Sequence, residues 1–370
     1  MLREIKWADL EPLAIGAGIL GTGGGGNPYL GKLQLRELLK QKGKQDVIAP
    51  DELADEALTM VVGSIGAPTV GIEKLPEGTE MKRAIRALEE HLGQRFDAVA
   101  IAEIGGSNSI NPLIAGVQLG IPTVDSDGMG RAFPEIQMSS FSFNGGIPVT
   151  PLAMADCRFA EVIVPKAADE FWAERIARNL ATSMGARSGL AGVVMTGRQL
   201  KDHGVHYTLS LAHALGCCVL AGRDANEDIP EIVAEVLAGE VLLRGKVVDV
   251  FRRTTRGFAR GWVKIDDFAE RERLQIEFQN EYLIATINDE VRVTVPDMIC
   301  IIEDETGEPV PTELLRFGTR VAVLAVPGAA QLKTEAGLQV VGPRAFGYDV
   351  DFQALPGGVV GERPPVAQHM

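Results

Sequence analysis

Two successive strands predicted near the middle of the chain each have an acidic side chain at or near their end. Glu103 lies near the end of one apolar run and Asp125 ends the next, with Asp127 and Arg131 following directly. Ligands bind beyond the carboxyl ends of parallel strands, so we expect these side chains to converge at one edge of a sheet. Paired carboxylates can ligate a cation, act as a general base or hold a substrate amide. These four residues are therefore the candidate catalytic set. The alternative is a turn, because Asp-x-Asp-Gly also describes a common loop.

A glycine-rich loop lies near the start of the chain. It comprises Gly23, Gly24, Gly25, Gly26 and Asn27. A phosphate-binding loop follows a strand and ends in Lys-Ser/Thr, whereas this loop follows a predicted helix and the next lysine is Lys32. We therefore expect no nucleotide. The loop is either a tight turn between helices or one wall of a substrate site.

Histidines are few, and a zinc site usually needs three protein ligands. His206 precedes a predicted helix and is the histidine we assign to a metal site with Asp125 and Asp127. A surface or capping histidine is the alternative. The chain has no HExxH or CxxC spacing and no Gly-x-Ser-x-Gly elbow, which argues against the common zinc motifs and the Ser-His-Asp hydrolases.

Polar residues in turns supply further candidate contacts to a substrate. Asn108 follows the strand that carries Glu103, and Asn280, Glu281 and Asp297 lie at strand ends in the second half of the chain. Loops carry function more often than the elements that they connect, and pockets form between domains. These residues are expected to face such a cleft, although ordinary turn roles remain the alternative.

The elements that position these residues change in kind along the chain. Residues 98–104, 110–119 and 121–125 form a strand, a helix and a strand, which implies parallel pairing. Short alternating runs dominate after Gly245, which is typical of a β-rich domain. We predict an α/β domain with a parallel or mixed sheet at residues 1–240, a smaller β-rich domain at 241–352 and a loose tail at 353–370.

Composition limits the partners of the protein. The 370 residues carry a formal net charge of −14, which disfavours nucleic acid and anionic membranes. Four cysteines do not make a disulfide scaffold, and the sequence has neither a signal-peptide pattern nor an apolar run long enough to span a bilayer. We expect a cytoplasmic homo-oligomer that acts on a small molecule.

Four separated motifs resemble one family across residues 5 to 352. They are GTGGGGNP, DSDGMGRAFPE, IEFQNEYLIA with TVPDMIC, and GPRAFGYD. The chain resembles the S-methyl thiohydantoin desulfurase-like family, which looks distantly related to hydantoinase/oxoprolinase components. The resemblance implies two domains and zinc-dependent hydrolysis of an S-methyl thiohydantoin to hydantoin and methanethiol. Positions that match its motifs are Gly23 to Asn27, Asp125, Asp127, Arg131, Glu135, Asn280, Asp297 and Arg344, whereas the histidines at 203–213 match no motif of the family.

These observations favour a metal-assisted hydrolase of a small cyclic amide or thioamide-like compound. Zinc would lower the pKa of a bound water to about 7. Asp125 or Asp127 would ligate the metal or act as base, and Arg131 would hold an anionic substrate group. The alternative is a non-catalytic ligand-binding or regulatory subunit that partners hydantoinase-like proteins. The weakest hypothesis is an NTP-dependent enzyme that uses the glycine loop.

Overall fold

The computed structural model describes residues 1–66, 70, 75–255 and 257–356, and the chain forms two sheets. The elements of its first part are β1 (Glu4–Ile5), α1 (Leu10–Leu20), α2 (Tyr29–Lys42), β2 (Gln45–Ile48), β3 (Leu58–Gly66), α3 (Glu80–Leu92), β4 (Ala98–Ile101), α4 (Asn111–Leu119), β5 (Thr123–Asp127), α5 (Ser140–Phe143), β6 (Leu152–Ala155), β7 (Glu161–Val164), α6 (Glu170–Ser183), β8 (Arg187–Thr196), α7 (Gly197–His203), β9 (Val205–His206), α8 (Thr208–Ala225) and α9 (Ile229–Val236). The elements that follow are β10 (Glu240–Thr255), β11 (Phe258–Asp267), β12 (Arg273–Gln279), β13 (Glu281–Ile287), β14 (Glu290–Thr294), β15 (Met298–Glu303), β16 (Arg320–Val326) and α10 (Glu335–Val341).

The first sheet is mixed. Its strand order is β1-β2-β5-β4-β3-β8-β6-β7, with β9 paired to β5. Strands β2, β5, β4 and β3 run parallel, so their carboxyl ends share one edge, whereas β8, β6 and β7 continue the sheet in antiparallel pairing. Strand β4 is buried along its whole length, as expected for a strand covered on both faces. The predicted strand, helix and strand are present as β4, α4 and β5, but β4 ends at Ile101, so Glu103 follows it, and β5 continues past Asp125 to Asp127.

The second sheet is antiparallel throughout its described strands, in the order β14-β13-β12-β11-β10-β16-β15. Strand β12 alternates between buried apolar residues, Leu274 and Ile276, and half-exposed polar residues, Gln275 and Glu277. This alternation is the pattern of a strand with one face on a core. The predicted fold class, an α/β part with a mixed sheet followed by a β-rich part, is confirmed.

Helices α1 and α8 join the two sheets through one core. The helices cross closely, because a Cβ on Gly16 would lie 1.8 Å from the carbonyl oxygen of Ala212. Apolar residues of both helices share a buried cluster with residues of the second sheet, among them Ile19, Leu215 and Leu324. This packing fixes the glycine loop, which follows α1, against the second sheet.

The first strand of the second sheet begins at Glu240, and whether residues 1–240 and 241–352 fold as separate units stays a prediction. In the predicted tail, the backbone N–H groups of Gln353 and Leu355 donate to Thr294 and Asp297. The remainder of that tail, 357–370, lies outside the described residues. No helix in the described part of the chain is long and apolar enough to cross a membrane. Homo-oligomer formation and cytoplasmic location stay predictions.

Candidate functional site

A cavity of about 320 Å³ lies at the edge where β3 and β4 end, closed on one side by the turn between β12 and β13. Of the residues predicted for the site, its walls include Gly25, Gly26, Asn27, Glu103, Asn108, Glu135 and Asn280. Other residues of the predicted set do not line it, namely Gly23, Gly24, Asp125, Asp127, Arg131, His206, Asp297 and Arg344. The cavity therefore brings together Glu103, part of the glycine loop and the hairpin of the second sheet.

Glu103 is held in a defined position at the cavity wall. Its Oε1 accepts a hydrogen bond from Nδ2 of Asn108 at 2.7 Å, and its Oε2 accepts one from the backbone N–H of Phe133 at 3.0 Å. Asn108 is fixed in turn, because its Oδ1 accepts hydrogen bonds from Ser64 and Asn111. Burial raises the pKa of Glu103 from 4.5 to about 7, against the opposing effect of these hydrogen bonds. The carboxyl is thus oriented and poised to exchange a proton near neutral pH.

Glu281 is a second carboxyl in the cavity wall, contributed by the second sheet. The sequence places it at the cleft but gives no reason to assign it chemistry. Its side chain is 2% exposed, and its Oε2 has no hydrogen-bond partner among the described residues. Burial, and then the nearby Glu103, raise the pKa of Glu281 well above its usual value. Only the fold reveals this pair, since its members lie 178 positions apart in the sequence.

The glycine loop lies between the turn after β4 and the hairpin of the second sheet. A Cβ on Gly25 would lie 2.3 Å from the carbonyl oxygen of Gly105, and one on Gly23 would lie 2.6 Å from the ring of Tyr282. The backbone N–H of Ser107 donates to the carbonyl oxygens of Gly25 and Gly26. Glycine is required here for close approach of backbone to backbone and, at Gly25, for a φ of +77°. Gly25, Gly26 and Asn27 thus form one wall of the cavity. This position agrees with the interpretation of the loop as a wall of a site.

Asp125 and Asp127 are buried and do not line the cavity. Both oxygens of Asp125 and Oδ2 of Asp127 accept hydrogen bonds from the protein itself, whereas Oδ1 of Asp127 has no partner among the described residues. Asp125 accepts from the backbone N–H groups of Leu209 and Ser210 and from the Ser210 hydroxyl, in the first turn of α8. Oδ2 of Asp127 accepts from three backbone N–H groups in neighbouring loops. Both side chains are 0% exposed. This arrangement supports a structural role for both side chains, and their predicted catalytic role stays a prediction.

Arg131 is fully buried, and its five N–H donors all have acceptors. Nε donates to Ala132, Nη1 to the carbonyls of Pro296 and Asp297, and Nη2 to the Thr22 hydroxyl and the Tyr282 carbonyl. No donor remains for the anionic substrate group that the sequence assigns to it. Arg131 instead connects the loop after β5 to Thr22, just beyond the end of α1, and to the second sheet.

The zinc ligands predicted from the sequence do not converge. The ring nitrogens of His206 contact the Ser126 hydroxyl at 3.0 Å and the carbonyl of Lys201 at 2.9 Å, and Asp125 and Asp127 are engaged as described. Among the described residues no group of three His, Cys, Asp or Glu side chains is arranged to hold a metal ion. The residues present therefore do not fit zinc in the predicted way.

Asp297 and Arg344 also lie outside the cavity. Asp297 is buried and accepts from Lys333 and from the backbone N–H groups of Gly328 and Leu355. Arg344 forms ion pairs with Asp349 and Asp351 at the surface. Both side chains are engaged by neighbouring groups of the protein, and their predicted contact with a substrate stays a prediction.

The remaining cavity wall combines apolar surface with amides and two arginines. Apolar contacts come from Val61, Ile65, Leu190 and Phe133, and polar contacts from Gln34, Asn111, Arg178 and Arg187. Arg178 is engaged by Glu174 and by the carbonyl of Pro134. The wall suits a small, largely neutral ligand that carries N–H and C=O groups, because carboxamides offer both a donor and an acceptor.

Comparisons with known proteins bear on the whole chain. A family model described as "S-Me-THD-like, N-terminal domain" matches residues 8–166, and one described as "S-Me-THD-like, C-terminal domain" matches residues 168–355. A crystal structure of a protein from Chromobacterium violaceum is 26% identical with a TM-score of 0.78, over 96% of this chain and 100% of that one. No curated protein matches.

Proposed function

The chain belongs to the S-Me-THD-like family, and on that premise we propose that it hydrolyses a small S-methyl thiohydantoin-type ring. The family predicted from the four sequence motifs is thereby confirmed, and it indicates a role related to thiohydantoins. In the proposed reaction, water adds at the ring carbon that bears the methylthio group. The products are hydantoin and methanethiol.

The observation that carries the proposal is the oriented carboxyl of Glu103 in the wall of a cavity of about 320 Å³. This volume lies at the lower end of the range for small-molecule sites, which suits a single substituted ring. Asn111 and Asn280 also line the cavity, and carboxamides provide both donors and acceptors for the N–H and C=O groups of a cyclic amide.

Glu103 supplies a general base for the attacking water. A base works best when its pKa lies near the operating pH, and burial brings the pKa of Glu103 to about 7. The hydrogen bonds from Asn108 and from the Phe133 N–H fix both carboxyl oxygens. No step of the proposed reaction involves Asp125, Asp127 or His206, the residues predicted to bind zinc.

The test is release of methanethiol from S-methyl thiohydantoin by the purified protein, measured with a thiol reagent and with hydantoin detected by mass spectrometry. We expect turnover by the wild type and a loss of about 10²–10⁴-fold in kcat for Glu103→Gln. Glu89→Gln is the matched control, because Glu89 is a buried carboxyl ion-paired with Arg86 and Arg95 and does not line the cavity.

Parallel assays with added zinc and with a chelator show whether a metal contributes. Absence of methanethiol in every arm would overturn the proposal. Calorimetric binding of the ring without turnover would favour the ligand-binding or regulatory subunit instead.

A further inference from the structure

The two carboxyls that line the cavity have different surroundings. Both oxygens of Glu103 accept hydrogen bonds from N–H donors, at 2.7 Å from Asn108 and 3.0 Å from the backbone of Phe133. Donors of this kind stabilise the ionised form, since a carboxylate can only accept hydrogen bonds. These hydrogen bonds offset part of the effect of burial on the pKa of Glu103, so that its carboxylate form is available near neutral pH to take a proton from water.

Glu281 has less of this support, namely a hydrogen bond from its own backbone N–H. Its Oε2 is buried and has no hydrogen-bond partner in the described part of the chain. A protonated carboxyl gains an O–H donor, and an ionised carboxyl at this position would leave a charge with an unpaired oxygen in a buried site. The surroundings of Glu281 thus favour the acid form.

Three charged or titratable groups act on Glu281 from the elements around it. Glu103, after β4, and Glu313, in the short helix Thr312–Leu314, disfavour its negative charge, while Arg131, after β5, favours it. Arg131 gives no hydrogen bond to Glu281, because its five donors are taken by other acceptors. Burial and the two carboxyls prevail over the single guanidinium, so the pKa of Glu281 lies well above its usual value.

We propose that the two carboxyls divide the proton transfers, with Glu281 as the catalytic acid and Glu103 as the catalytic base. The inference rests on the proposed hydrolysis and extends it by naming a catalytic residue from the second sheet. Glu281 is a candidate for direct contact with the substrate because it lines the cavity.

In the first step, Glu103 takes a proton from water as the water oxygen bonds to the ring carbon. The electron pair of the C=N bond moves to the ring nitrogen, which takes the proton of Glu281. The resulting adduct carries a hydroxyl and a methylthio group on the same carbon, Glu103 is now protonated and Glu281 is ionised.

In the second step, Glu281 takes the hydroxyl proton as the C=O bond forms. The C–S bond breaks, the sulfur leaves with the electron pair, and Glu103 returns its proton to the sulfur. One water is consumed, hydantoin and methanethiol are produced, and both carboxyls regain their starting protonation. The scheme needs no oxidant, reductant or second substrate.

The experiment compares the pH profiles of kcat/KM for methanethiol release by the wild type, Glu281→Gln, Glu281→Asp and Glu103→Gln. The wild type is expected to lose activity on the acid side as Glu103 becomes protonated and on the alkaline side as Glu281 ionises. Glu281→Gln should lose about 10²–10⁴-fold in kcat, and its residual activity should lack the alkaline limb. Glu281→Asp, which keeps an acid, should retain that limb with partial activity.

Glu89→Gln is the control, because Glu89 is a buried carboxyl that does not line the cavity and is not among the groups that act on Glu281. It should keep both limbs and wild-type kcat. Glu313→Gln should keep both limbs but move the alkaline limb to lower pH, because the charge of Glu313 raises the pKa of Glu281. An active wild type whose Glu281→Gln variant keeps its rate and its alkaline limb would overturn the inference and leave the proposed function standing. A wild type that releases no methanethiol would overturn the proposed function and the inference with it.

Discussion

Oε1 of Glu281 occupies the place where a side chain at Gly24 would begin. A Cβ built on Gly24 would lie 2.0 Å from that oxygen and 2.6 Å from the carboxyl carbon. Gly24 itself does not line the cavity. Because Gly24 has no side chain, it leaves room for the carboxyl of Glu281, which does line the cavity. A glycine of the first part of the chain is thus matched to an acid of the second part.

Gly24→Ala should displace the carboxyl of Glu281 and lower kcat about 10²-fold, the lower end of the loss expected when an acid or base is removed. The effect should disappear when Glu281 is already alanine, because the clash then has no partner. Steady-state kinetics of the two single variants and the double variant form the test. Additive losses would show that Gly24 acts on something other than Glu281.

Arg131→Lys should destabilise the protein by about 2–4 kcal/mol, because lysine has three donors and at least two buried acceptors lose their partners. The measurement is urea unfolding. Arg95→Lys is the comparison, since Arg95 is a largely exposed arginine in an ion pair with Glu89 and should change stability little. Equal stability of Arg131→Lys and the wild type would contradict the role of Arg131 as a tie between the two sheets.

Asp125→Ala separates a structural from a catalytic role. It removes the acceptor of three hydrogen bonds in the first turn of α8 and should cost about 1–3 kcal/mol of unfolding free energy. Activity per folded molecule should stay within a few-fold of the wild type. Loss of kcat with unchanged stability would restore the catalytic assignment made from the sequence.

The stability of the protein should depend on pH through Glu103. Its pKa rises from 4.5 to about 7 on folding, so the folded state holds the proton more tightly. The stability that this contributes is fully present below about pH 4.5 and is lost as the pH rises through about 7, to a total of about 3 kcal/mol. Urea unfolding of the wild type and of Glu103→Gln across this range should show the difference. If the free energy of unfolding had the same pH dependence in the wild type and in Glu103→Gln, the pKa of Glu103 would not be raised on folding.

Much of the fold could be predicted from local patterns. The apolar runs of β4 and β5, with Gly120 ending the helix between them at a φ of +73°, are short-range signals and gave a parallel unit. The antiparallel continuation of the first sheet through β8 depends on which distant strand pairs with β3, and no periodicity within a strand contains that information.

The site was predictable only in part. Their predicted positions at strand ends made Glu103 and Asp125 equally good candidates for the site. Glu103 lines the cavity, however, whereas Asp125 caps α8. A buried polar side chain that faces a cavity and one that accepts hydrogen bonds from backbone groups have the same sequence pattern, because both lie near the end of a strand. The distinction appears only when the hydrogen-bond partners are known, as for Arg131.

The acid and the base of the cavity belong to different family-model segments, Glu103 to residues 8–166 and Glu281 to residues 168–355. Either segment produced alone would carry half of the pair. Coexpressed full-length Glu103→Gln and Glu281→Gln chains would therefore complement each other only if subunits exchanged whole segments, so recovered activity in such a mixture would be a sensitive reporter of segment swapping.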